Sequence, residues 1–363
     1  MEETERRKVI ELFSAYYSKA DFRIPAINQR EFGIGNIKKI DSRHLSFNDL
    51  AEFRRYLVTN TPLFVSHSTG YYEYPSASQM ERKRRIGADL IFDLDLHAEG
   101  KYDVYKRLDS VKADVLRLVK DFVLGDFGVK KEDVLIVFSG NRGYHVHVRD
   151  QRYQAIGSDE RHELADYVMG QGLNYAEFFS YDDKKRLLGP KSSEGGYRGR
   201  LARSVVSVLR EKPMTISRIF KEERTREFFI SGINEGNWSR TSLDLKDLLS
   251  RLGPIAKDLS VMSVNTDVGV TQDMSRLIRV PQSIHGDTGF VACIVPDPEK
   301  FDPLKDALLP NIKSETLRVR FVEDVPELTI GAEARSFKKD EVRELPANIA
   351  IFYILKRSAK IEK

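Results

Sequence analysis

The sequence predicts a mixed α/β fold in which a helical subdomain is inserted into a sheet domain, and three observations lead there. Residues 88–97, ADLIFDLDLH, alternate apolar and polar side chains, which is the period-two signature of a strand. Residues 103–148 then read as helix, strand, glycine-containing turn and strand, the order expected of a sheet backed by helices. From 151 to 252 the texture turns charged and helix-forming, and strand and turn signals resume after Pro254. These shifts place one α/β domain over residues 1–150 and 253–363 and the helical subdomain over 151–252.

Each element has its own signal. Residues 4–19 carry Val9, Ile10, Leu12, Phe13, Tyr16 and Tyr17 at helical spacing, with Thr4 in the N-cap position. From Arg23 onward, strand-length pieces are broken by Gly33, Gly35, Pro62 and Gly70, with a helix expected over 46–59. The pattern over 103–124 is an amphipathic helix ended by Gly125, and 133–148 gives two strands around a turn. In the inserted region helices are expected over 159–168, 201–209, 216–229 and 242–252. Segments 261–271 and 283–296 read as strands and turns, the second turning at 286–289 with Cys293 as a packed strand residue. A strand is expected in 315–323, and a helix interrupted near Pro346 in 342–356.

With 363 residues, 41% of them hydrophobic and 31% charged, the chain can bury one large core or two smaller ones. Its 59 basic against 55 acidic residues leave a net charge of +4, too mild to mark a nucleic-acid binder without local clusters. One cysteine excludes an internal disulfide framework and a cysteine-rich zinc site, and it fits a reducing compartment. No apolar run approaches the roughly 20 residues of a membrane span. The charged start MEETERRKVIELF has no signal-peptide core, so the expected location is the cytoplasm.

Three blocks carry candidate chemistry. In 88–97 the alternation sets Leu90, Phe92, Leu94 and Leu96 on one face and Ile91, Asp93, Asp95 and His97 on the other. Residues two apart on a strand have Cα atoms about 6.6 Å apart, so the two carboxylates can converge on hard cations such as Mg²⁺ or Mn²⁺; the plainer alternative is a solvated polar face. In FSGNRGYHVHV, Gly140 and Gly143 free the backbone while Ser139, Arg142 and His145 offer a hydroxyl, a donor fork and an imidazole. That set can cradle a triphosphate, and it lacks the Walker pattern of P-loop NTPases. An ordinary hairpin, or a zinc pair formed by His145 and His147, are the other readings. The third block supplies Asp267 as a third carboxylate and Arg279 and His285 as phosphate contacts, with Asp273 read as a helix N-cap.

Two basic clusters, Arg82 to Arg85 and a second that includes Lys184, Lys191, Arg198, Arg200 and Arg203, read either as solvated faces or as phosphate-backbone contacts. Tyr71, Tyr72 and Tyr74 fit core packing better than base stacking.

In order, QREFGI (29–34), the D-x-D of Asp93 and Asp95, SGNRGYHVHV (139–148), Asp267 and LIRVPQSIHGDTG (277–289) resemble the catalytic small subunit of archaeal and eukaryotic DNA primases. About fifty residues carry the likeness, but their order spans most of the chain. The resemblance implies a primase-type catalytic domain, a mixed sheet flanked by helices, that starts RNA and also DNA chains from nucleoside triphosphates on single-stranded DNA. It further implies that Asp93, Asp95 and Asp267 hold two divalent ions, Mg²⁺ or Mn²⁺, and that Ser139, Arg142, His145, Arg279 and His285 hold the triphosphate. Arg30 is implied as a further phosphate contact, and a large primase subunit as heterodimer partner. Many members of the family carry a Cys- and His-built zinc insertion soon after the D-x-D; no cysteine lies between residues 1 and 292, so structural zinc is not expected and the pattern looks archaeal. A metal-dependent nuclease on the same carboxylates, or a non-catalytic nucleic-acid-binding subunit, are the rival functions.

Overall fold

In the computed structural model, which describes residues 2–260, 263–310 and 315–362, the alternating segment is the strand Leu90–Asp95. It forms the edge of a three-stranded sheet with Gly143–Val148 in the middle and Val134–Phe138 beyond. The pairing is antiparallel, and its register sets Asp93 opposite His145 and Asp95 opposite Gly143. Leu90, Phe92 and Leu94 are buried, as the alternation requires. Because the strand ends at Asp95, His97 lies outside it and is exposed.

A second sheet runs Leu277–Arg279, Phe64–Ser68, Phe32–Gly35 and Ser42–Leu45 in spatial order, again antiparallel. Here Arg279 pairs with Ser66, two residues some two hundred positions apart in sequence. The opening helix, Glu3–Tyr17, buries Val9, Leu12, Phe13, Tyr16 and Tyr17. Its N-cap is Glu2, held by a reciprocal capping box with Glu5, so Thr4 already lies inside the helix. Phe22, Phe32, Phe47 and Phe53 pack ring on ring, with centroid separations of 5.0 to 5.1 Å along the chain of contacts Phe22–Phe53–Phe32–Phe47.

Contact density divides the chain into two units, residues 1–116, 130–162 and 266–363 in the first and 117–129 and 163–265 in the second. The second unit has its own core, in which Trp238, Phe220, Phe229, Leu201 and Val205 are fully or almost fully buried, and Trp238 Nε1 donates to the Pro190 carbonyl at 3.0 Å. Its boundaries differ from the expected 151–252 at both ends. Segment Leu118–Asp126, read as the end of a sheet-domain helix, is π-helical and belongs to the second unit. At the other end, helix Leu245–Ser260 runs through Pro254. A proline removes one helical hydrogen bond but does not forbid a helix, so the break read there was too early.

Three further expectations are corrected. Residues 268–272 form a short helix instead of a strand, with Asp267 as its N-cap and Asp273 at its C-cap; residues 261–262 lie outside the described residues. Segment 283–296 is held by isolated bridges, Ile284 with Val291 and Ile294 with Val137, so Cys293 is half-buried in irregular chain. Segment 342–356 is the strand Val342–Pro346 followed by the helix Ala347–Leu355, with Pro346 at the junction, where its fixed φ suits a helix start. Every strand pair among the described residues is antiparallel, so the mixed α/β fold is built from several small sheets. No helix among them is long and apolar enough to cross a membrane.

Candidate active site

The turn between the strands Val134–Phe138 and Gly143–Val148 fixes the centre of the site. Ser139 N–H donates to the Gly143 carbonyl at 2.8 Å, and Gly143 N–H donates back to Ser139 Oγ at 3.2 Å. Gly140 adopts a φ of +80°, and a Cβ there would stand 2.9 Å from the Cβ of His285. A side chain at Gly143 would collide with the Leu94 carbonyl at 2.2 Å. Both glycines are therefore required by close approach, one to the aspartate strand and one to the His285 segment. Thr288 Oγ1 completes the tie by donating to the Gly140 carbonyl at 2.5 Å, across 148 residues of sequence.

These ties open a cleft of about 570 Å³ whose walls include Asp93, Asp95, Ser139, Arg142, His145 and, from the second sheet and its loop, Arg279 with His285. Asp267 is exposed beside it, and its N–H donates to the Asp93 carbonyl at 3.0 Å while Thr266 Oγ1 donates to the same oxygen at 3.1 Å. The three carboxylates expected from the sequence therefore lie in one neighbourhood. Burial, followed by the nearby charges of Asp95 and Asp267, pushes the Asp93 carboxyl up to about 7. Its Oδ1 is buried without a hydrogen-bond partner, with His145 Nε2 at 3.7 Å.

The cationic side is poised in a complementary way. Desolvation holds Arg279 at a pKa of about 10, so it stays charged at neutral pH, and its Nη1 is buried without a partner. Burial lowers His145 to about 4, and it pushes His285 well below the usual imidazole range; both rings are neutral. His285 Nδ1 accepts the Asp287 N–H at 3.1 Å, which puts the ring proton on Nε2 as a donor. Arg142 Nε donates to Asp95 Oδ2 at 3.0 Å.

An orphaned carboxylate oxygen beside two more carboxylates is the environment a hard divalent cation satisfies, so the residues present fit such an ion. Among the described residues no three His, Cys, Asp or Glu side chains are already gathered as a metal centre. The reason is visible: Asp95 is turned to Arg142, and Asp267 Oδ1 accepts the Val270 N–H of its own helix at 3.3 Å.

Arg30 is a correction. It is fully buried away from the cleft, with Nη2 on Asp89 at 2.7 Å, Nη1 on the carbonyls of Ser68 and Thr69 at 2.8 Å each, and its guanidinium 3.7 Å above the Tyr71 ring. With its donors engaged, it fastens strands and does not meet phosphate. Tyr71 and Tyr72 are buried as well, while Tyr74 is exposed. His147 is buried behind the site, both ring nitrogens without partners. Within the second basic cluster, Arg200 bonds Asp126 and Arg198 bonds Glu194, so these two are engaged internally.

The cleft also contains Lys39, Ser66 and Arg276, which the sequence reading missed. Ser66 enters through its pairing with Arg279, and only strand register reveals that. Arg276 sits three residues before Arg279 in SRLIR, a spacing that was available in the sequence.

Residues 92–295 match the family described as DNA primase small subunit. The chain is 33% identical to the DNA primase small subunit PriS of Methanococcoides burtonii, with 96% of each protein covered. It is 32% identical to that of Methanocella arvoryzae over the whole of both, and 33% identical to that of Archaeoglobus fulgidus over 96% of this chain and 97% of the relative.

Proposed function

The chain belongs to the DNA primase small-subunit family and is a DNA primase, and from that premise we propose that it starts primers de novo, joining nucleoside triphosphates on a single-stranded DNA template in the cytoplasm with a large subunit as its partner. The chains it starts are RNA, and the same chemistry extends to DNA. The observation that carries this reading is the convergence, in one cleft, of a buried unpartnered carboxylate oxygen on Asp93 and a buried unpartnered guanidinium nitrogen on Arg279. One calls for a cation and the other for an anion, and a nucleoside triphosphate with its divalent ions supplies both.

Asp93, Asp95 and Asp267 are the residues that would hold Mg²⁺ or Mn²⁺, whose chemistry is to sharpen an attacking hydroxyl and offset charge on the leaving pyrophosphate. The 3′ oxygen of one nucleotide forms a bond to the α-phosphorus of the next, and the bond from that phosphorus to the bridging oxygen breaks. Arg279, as a fixed cation, and His285, through Nε2–H, hold phosphate oxygens. Arg142 exchanges Asp95 for the triphosphate, while neutral His145 adds a donor beside Asp93 and the Ser139–Gly143 turn sets the floor. Because Arg279 and His285 are buried in place before the substrate arrives, they need little rearrangement in the transition state.

The test is incubation of the full chain with single-stranded DNA, labelled ribonucleotides and Mg²⁺ or Mn²⁺, without primer, alone and with the large subunit. Labelled oligomers are expected from the wild type, and Asp93→Asn is expected to lose at least a thousandfold in rate while melting cooperatively. Normal synthesis by that variant, or none by the wild type even with the large subunit, overturns the assignment.

A further inference from the structure

Lys356 is a lysine without an anion. It stands at the C-cap of the helix Ala347–Leu355, half-buried, and no hydrogen bond or ion pair engages its ammonium among the described residues. Its Nζ lies 5.0 Å from the Tyr105 ring centroid and 5.9 Å from that of Phe352. The two rings form a platform, meeting edge to face with centroids 5.2 Å apart, and Phe352 stacks on Phe290 at 5.1 Å.

That platform is joined to the nucleotide cradle from two sides. Tyr105 Oη donates to Asn141 Oδ1 at 2.9 Å, and Asn141 is part of the Ser139–Gly143 turn and of the cleft wall. On the other side, Gly289 has φ +74°, and a Cβ on it would stand 2.7 Å from Ile351 and 3.3 Å from Leu355. The helix end therefore lies directly against the segment that carries His285 and Asp287 into the cleft. Desolvation lowers the lysine to about 8, with the charge of Asp287 favouring its protonated form and that of Arg142 among those opposing it, which agrees with a position behind the cradle.

A cation at a helix C-terminus has an ordinary structural use, since it complements the helix dipole. Two features exceed that use: the ammonium rests on a ring platform instead of extending into water, and the platform is bonded to the turn that the proposed function gives to the triphosphate. Ring faces attract a cation but leave its donors free. We infer that Lys356 binds the terminal phosphate of the incoming nucleoside triphosphate, reaching it past Asn141 from outside the set Ser139, Arg142, His145, Arg279 and His285. This inference rests on the cleft being the nucleotide site.

The experiment measures equilibrium binding of one nucleotide as its triphosphate and as its diphosphate to the full chain with Mg²⁺, for wild type, Lys356→Met, Lys356→Arg and Arg142→Ala. Lys356→Met keeps the aliphatic stem on the rings and removes the charge. It is expected to weaken the triphosphate roughly tenfold, the scale of one charge-assisted contact, and to leave the diphosphate within about twofold. Lys356→Arg is expected to restore most of the preference. A merely structural lysine would shift both ligands together, or neither, and either result overturns the inference. If Arg142→Ala binds the triphosphate as tightly as wild type, the cradle reading falls and this inference with it; if Arg142→Ala loses binding while Lys356→Met keeps the wild-type ratio, only this inference falls.

Discussion

Arg30 and Arg279 carry the same guanidinium into the interior, and their neighbours give it opposite uses. Arg30 is surrounded by acceptors, Asp89 and the carbonyls of Ser68 and Thr69, so its charge is compensated and its geometry fixed. Arg279 lies on Phe64 at 5.6 Å and keeps a buried Nη1 without an acceptor. The first is a fastening for the strands behind the site; the second is available to a ligand. Replacing Arg30 with Met leaves Asp89 without its closest cation, and breaking a buried pair from one side costs about 3–5 kcal/mol. Arg30→Met is therefore expected to lower unfolding free energy by that amount in denaturant titration, while the nucleotide KM of the folded enzyme stays within about twofold of wild type. A KM rise of tenfold with unchanged stability would return Arg30 to the phosphate site. The sequence could not separate the two arginines, because each lies in a motif block and burial partners are contributed by distant strands.

The turn at 139–143 and the segment 285–289 act as one element, although 148 residues separate the atoms that join them. Gly140→Ala tests that unity. Its φ of +80° disfavours any Cβ, and the new methyl would meet His285 at 2.9 Å, so the cradle has to open. Nucleotide KM is expected to rise about tenfold or more, with a stability loss of about 1–3 kcal/mol from strain; steady-state kinetics beside thermal melting measures both, and an unchanged KM would show the two segments to be independent. Local patterns made part of this element legible: the alternation that aims Asp93 and Asp95, the glycines flanking Asn141 and Arg142, and the strand that carries His145. The short helix after Asp267 was hidden, because VMSVNTDVGVT is rich in β-branched residues and its capping by Asp267 prevails over their strand preference. Ser66 was hidden too, since only its pairing with Arg279 brings it to the cleft.

At the scale of the molecule, each of the two units buries apolar side chains of its own. The core around Trp238, Phe220 and Phe229 is supplied wholly by the second unit, and the indole is fully buried there. Trp238→Ala is expected to destabilise that unit by about 3–5 kcal/mol, seen in calorimetry as a lowered transition separate from that of the first unit, while triphosphate binding to the cleft persists below it. A single lowered transition that carries nucleotide binding with it would refute the independence of the two units. The existence of a helical insertion was legible from texture, but its edges were not. Pro254 suggested a stop where a helix continues, and the stretch Leu118–Asp126 gave no sign that it leaves the sheet domain. One feature of the resting site reaches furthest: Arg142 and Asp95 neutralise each other at 3.0 Å. On the proposed function, a polyphosphate that takes Arg142 would free Asp95, and a divalent ion that takes Asp95 would free Arg142. Each ligand would thereby raise the other's affinity by the same factor, as thermodynamic reciprocity demands. Occupancy would then be a conjunction, and a nucleotide arriving without its ions would meet a door held from inside.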